Sequence, residues 1–277
     1  MKRSTKILLT ATVAAVLIIT VLSAIFSYIA MTTDFDHELF YFNAGSTLGA
    51  LTMYLPIVAP ALAIICGIAL SKKIRFTESP AANIPTVFTS VLMGLLMIAA
   101  SVFTLTGGAE LSRISMGVIL TGIVSGIYFL LFPFVGNRSF MIYLSFVPAI
   151  WAALKLLEEY FREGEPINSP IRTINLTMLA FLLLFFAEEI RFGIDRQIPG
   201  TYYFCILSAV AFTGSAALPK LAIILTDNSL FEFSFIEWCL GAAMFLFLLA
   251  RLSAVPAVLT DSEESHAAEA ETATEEK

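Results

Sequence analysis

The chain has 277 residues, of which 58% are hydrophobic and only 14% charged, with a mean hydropathy of +0.87. Soluble domains carry about 25% charged residues, so this composition excludes a water-soluble globular fold and makes lipid the main solvent. The net charge of −6 misleads, because the acidic residues crowd into the C-terminal segment DSEESHAAEAETATEEK and leave the body nearly neutral. No basic patch interleaved with aromatics is present, which argues against nucleic-acid binding.

A helical crossing of a bilayer needs roughly 20 apolar residues, and eight runs qualify. The expected fold is all-α: a polytopic bundle over residues 1–256, followed by a disordered acidic tail over residues 257–277. A β-barrel is excluded because the runs are continuously apolar and do not alternate. The first run, Ile7–Met31, follows the basic segment MKRSTK. It is longer than the 7–15-residue core of a signal peptide and lacks an A-x-A-like cleavage site, so it reads as a retained span.

The first loop, TTDFDHELFYFNAG, carries no Lys or Arg. His37 and Glu38 begin a zinc-binding H-E-x-x-H, but Tyr41 closes it. The second span, Leu48–Leu70, contains Pro56 and Pro60. The loop after it carries Lys72, Lys73 and Arg75. With Lys2, Arg3 and Lys6 on the same side, the positive-inside rule places both termini in the cytoplasm. The third span is Val87–Leu105. The fourth, Met116–Val135, contains Gly122 and Gly126 in a GxxxG arrangement suited to close helix contact, here expected within one molecule.

The fifth span, Phe140–Phe161, contains Pro148 and ends in WAALKLLEEYFREGEP. Its YLSFVP echoes YLPIVAP of the second span, a match short enough to arise by chance. Lys155 stands three and four residues before Glu158 and Glu159, and Glu158 four before Arg162, so local ion pairs can form. These charges can line a solvated vestibule, or mark a helix end with Lys155 reaching towards the headgroups.

The sixth span, Ile174–Phe192, ends with Glu188, Glu189 and Arg191, a candidate gate or an ordinary charged helix end. A Glu-Glu-x-x-x-Arg protease motif would need arginine where Gly193 stands, and histidines on later spans. His37 and His266, the two histidines, lie in a loop and in the tail. The seventh span, Thr201–Leu225, is interrupted by Pro219 and Lys220. It either kinks there or stops near Leu218. Lys220 can pair with Glu158, Glu159 or Glu237 across the bundle, or reach the membrane surface. The eighth span is Phe233–Arg251. Trp151 and Trp238 fall near span ends, where interfacial anchoring accounts for them. Cys66, Cys205 and Cys239 sit singly in apolar runs and read as buried hydrophobes.

No catalytic, metal or nucleotide motif is complete, so neither cofactor nor metal is expected and enzymatic activity is disfavoured. The leading reading is a multi-pass plasma-membrane protein that acts as a gradient-driven carrier or channel for a small solute. Its candidate pathway or ion-pair residues are Lys155, Glu158, Glu159, Lys220, Glu188, Glu189 and Arg191, with helix breaks at Pro56, Pro60, Pro148 and Pro219. The alternative is a non-transporting accessory, sensor or scaffold subunit. The lipid bilayer is the expected partner, beside an unidentified solute or membrane protein.

Overall fold

A long apolar segment in lipid can satisfy its backbone only within itself, so it coils. In the computed structural model, residues 3–36, 38–71, 74–76, 83–107, 112–135, 139–194, 196, 198–226 and 234–261 are described. Among them, eight stretches are long and apolar enough to cross a membrane, as expected of a multi-pass membrane protein. His37, His266, Lys2, Lys72, Lys73, Arg138 and the tail over 262–277 lie outside the described residues.

The helices are α1 (Arg3–Thr33), α2 (Thr47–Ser71), α3 (Ile84–Thr106), α4 (Arg113–Val135), α5 (Ser139–Leu144), α6 (Phe146–Phe161), α7 (Pro170–Gly193), α8 (Pro199–Thr226) and α9 (Phe235–Ala254). Local sequence fixes several starts. Asn83 accepts a hydrogen bond from the Thr86 amide at 2.9 Å and Pro85 opens the first turn. Ser169 and Pro170 do the same for α7, the N-cap chemistry that satisfies otherwise orphaned amides.

The prolines act differently from the breaks expected of them. α2 runs on through Pro56 and Pro60, and α8 through Pro219 to Thr226. The fifth span does divide, at Ser145 between α5 and α6. Pro148 has no amide to offer the carbonyl of Leu144 and its ring crowds that carbonyl, so the chain turns there. Pro133, inside α4, likewise frees the carbonyl of Phe129, which accepts a 2.7 Å hydrogen bond from the buried hydroxyl of Ser90 on α3.

Six elements close into a ring in chain order: α3 on α4, α4 on α6, α6 on α7, α7 on α8, α8 on α9, and α9 back on α3. The pair α1 and α2 packs on the outside of α8. The most apolar window of α8 is therefore 72% buried, against 28% for α1. Its small-residue stretch from Ser208 to Ala217 suits this central place, since Gly214 leaves no room for a Cβ between Thr20 of α1 and Phe245 of α9. The echo between the second and fifth spans has no structural counterpart, because α2 is peripheral and unbroken whereas α6 is a ring helix.

Two short antiparallel strand pairs finish the ends. β1 (Phe35–Asp36) pairs with β2 (Tyr41–Phe42), and β3 (Ile74–Phe76) with β4 (Leu259–Asp261). The second pairing carries order past residue 257, because Leu259 is buried in the main core.

The α3–α4 seam tests close packing. A Cβ at Gly126 would lie 2.7 Å from the Gly94 carbonyl oxygen, which is backbone and cannot swing away. At Gly117 the nearest atom is the flexible Leu154 tip at 3.3 Å. Gly126→Ala is expected to cost about 1–3 kcal/mol through overpacking, while Gly117→Ala changes little. Thermal unfolding of the two purified variants checks this.

Candidate functional site

A cavity of about 740 Å³ occupies one end of the six-helix ring. Its walls come from α3, α4, α6, α7 and α9. Met97, Met178, Met244 and Leu179 line it together with Trp151, Trp238 and a group of charges. The volume falls within the range of small-molecule sites.

The charges arise where α6 faces α9 across the ring. Lys155 Nζ lies 2.8 Å from Glu158 Oε2, one turn along its own helix, and 2.9 Å from Glu237 Oε1 of α9. One ammonium thus holds two carboxylates at the wall. Glu159 points the other way around α6: it accepts from Asn175 Nδ2 at 3.0 Å and lies 3.5 Å from Arg162. Lys220, only 2% exposed, sits one layer behind the wall. Its ammonium donates to Asn175 Oδ1 and lies 4.0 Å from the centroid of the Trp238 ring. Asn175 therefore bridges a buried lysine to a buried carboxylate.

Lys155, Glu158, Glu159 and Arg162 all line this cavity, and Lys220 joins them through Asn175. Lys155 is engaged by Glu158 and Glu237, and Lys220 by Asn175 and the Trp238 ring. Trp151 and Trp238 also depart from the anchoring role expected of them: both rings face the cavity, and Trp151 is buried. A hydropathy profile locates them near span ends but carries no information on which way they turn.

Beneath the cavity the ring is filled by aromatics from α4, α7 and α9. Phe129 lies 5.9 Å from Phe186 and 5.3 Å from Phe247, and Phe185 lies 5.5 Å from Phe186, between ring centroids. Below this layer a second charged group closes the ring. Arg251 of α9 is 0% exposed. Its Nη2 lies 2.6 Å from Glu189 Oε2 and its Nε 3.2 Å from Oε1. Tyr202 of α8 donates to the same Oε1 at 2.6 Å, and Phe132 of α4 lies 5.3 Å under the guanidinium. Four ring helices therefore meet at one clamp. Along α7, the 14-residue interval from Asn175 to Glu189 places the two charged groups about 21 Å apart at 1.5 Å per residue.

Glu188 takes no part in the clamp and pairs locally with Arg191 at 2.9 Å. The two adjacent glutamates thus separate: Glu188 towards its own helix end, Glu189 into the ring. Sequence alone marks Arg251 and Arg172 only as basic residues near span ends and gives no site role to Asn175 or Tyr202. The partners Arg251 and Glu189 are 62 residues apart and Lys155 and Glu237 are 82 apart, beyond the reach of local spacing.

Compared with protein-family models, with curated proteins and with solved structures, the chain matches none.

Proposed function

We propose that the chain is a gradient-driven carrier for a small solute, which enters the six-helix ring through the charged cavity. One observation carries this reading: a chamber lined by paired charges is closed beneath by an aromatic layer and then by a buried ion-pair clamp. Ionisable groups at membrane depth are costly, and they persist where they line a pathway or pair across it. A carrier must open its two ends in alternation. Here one end is open, and what shuts the other is discrete: tilted and edge-on rings and the Glu189–Arg251–Tyr202 contact. Parting α9 from α7 would break the clamp and separate Phe247 from Phe185 in one motion. The basic residues at the clamp end support a reading with that end cytoplasmic and the cavity end outside, in a plasma-membrane carrier.

Thiol labelling tests the cycle. Cys66, Cys205 and Cys239 are replaced, and cysteine is placed at Met178, in the cavity wall, or at Phe247, in the layer below. Impermeant reagent is then added from either face. Met178→Cys is expected to react from the cavity side. Phe247→Cys should react from the opposite side, slowly, as a minor conformer opens. If position 247 stays silent from both sides, the chamber is a static vestibule and a ligand sensor fits better than a carrier.

A further inference from the structure

We infer that the ligand of the cavity is an amphipathic organic cation, with a positively charged head and an apolar body. The inference deepens the carrier reading and rests on the same chamber. Two features of the wall point to it.

The first is the charge count at the wall. Lys155 is the ammonium shared by Glu158 and Glu237. Glu159 has Arg162 and the Asn175 amide. The lysine triad therefore keeps one net negative charge. Glu158 and Glu237 side chains retain 24% and 42% exposure, so a ligand can reach them. The cations beyond the triad are placed differently. Lys220 is sequestered behind Asn175 against Trp238, and Arg172 is spent on backbone carbonyls of α6. Arg162, the exposed cation of the wall, is paired with Glu159 at 3.5 Å, so the wall charges as a whole sum to one net negative and favour a cation over an anion.

The second is the chemistry of the remaining wall. Trp151, and the part of Trp238 that lines the cavity away from Lys220, offer indole surface, the best aromatic partner for an organic cation. Met97, Met178 and Met244 line the interior. Thioethers on unbranched chains adapt to apolar bodies of different outline. A small hydrophilic ion would gain nothing from these walls and would lose its hydration. A cation whose charge is spread over an apolar frame gains from both.

Tetraphenylphosphonium and tetraphenylborate are the probes, because they share shape and apolar surface and differ in sign. The purified full chain is placed in nanodiscs of neutral lipid, and quenching of its two tryptophans is followed against empty discs. The phosphonium is expected to bind saturably and at least tenfold more tightly than the borate, a margin of 1.4 kcal/mol. Glu158→Gln combined with Glu237→Gln should erase most of that margin by weakening phosphonium binding. Equal or tighter binding of the borate overturns the inference, as does the absence of saturable binding of either ion. The wild-type comparison decides the matter even if the double variant fails to fold. The two readings also fail separately. Phosphonium selectivity with silent labelling at position 247 keeps the ligand class and removes the carrier, whereas two-sided access with borate preference does the reverse.

Discussion

Arg251→Met is expected to cost about 3–5 kcal/mol, because it strips the counter-ion from a carboxylate that stays buried. Glu189 would keep the Tyr202 hydroxyl, a neutral donor, where it now has a two-pronged guanidinium at 2.6 and 3.2 Å. Glu189→Leu alone should cost a comparable amount by leaving the fully buried guanidinium without its carboxylate. Removing both charges together is expected to restore most of the loss, since a buried ion pair gains little over an apolar pair of similar volume. Thermal unfolding of the four proteins gives the coupling energy directly. If the two single losses simply add in the double variant, the clamp is not an energetic unit and cannot act as a closure. In the carrier reading the double variant has a second signature: it folds but no longer seals. Labelling at Phe247→Cys from the clamp side should then become fast.

The contrast between the two glutamates shows what a sequence can and cannot say here. Lys155 with Glu158, and Glu188 with Arg191, are pairs within one helical turn, and their spacing alone foretells them. All eight spans are equally legible, since length and hydropathy decide them. The direction in which a side chain leaves its helix is another matter. In water an apolar stripe marks the buried face. In lipid both faces are apolar, and the stripe vanishes. That is why Glu189 could not be told from Glu188, and why Trp151 and Trp238 read as membrane anchors. Arg251 looked like a terminal basic residue because nothing local reveals that Glu189, Tyr202 and Phe132 converge on it. The prolines mislead for a related reason. Their effect depends on whether a neighbour supplies the missing donor, as Ser90 does above Pro133, and that neighbour is on another helix.

The largest single loss is expected at Arg172, a residue with no counter-ion in the described structure and a purely structural task. It is 2% exposed and stands in the first turn of α7, after Ser169 and Pro170. A cation there opposes the dipole of its own helix. Its guanidinium instead turns to the end of α6, which lacks a glycine cap and closes on Arg162 in extended conformation. Nε and Nη2 reach the Glu159 carbonyl at 3.0 and 2.7 Å, and Nη2 also lies 2.8 Å from the Tyr160 and Arg162 carbonyls. Nη1 reaches the carbonyl of Glu165. One side chain thus gathers the carbonyls that every helix end leaves orphaned. Arg172→Met leaves them dry, at an expected cost of about 4 kcal/mol or more, since each hydrogen bond to a charged group contributes about 1.5–3 kcal/mol net and the contributions are not additive. Arg172→Lys should recover less than half of that loss, because an ammonium has no planar fork to span several acceptors at once. Thermal unfolding ranks the three proteins, and amide exchange should show the last turn of α6 fraying first in the lysine variant. That turn carries Glu158 and Glu159, so phosphonium affinity should fall with it although residue 172 is outside the cavity wall. An Arg172→Met protein as stable as wild type, with the end of α6 still protected, would show that the carbonyls find other donors and that the capping role is mistaken.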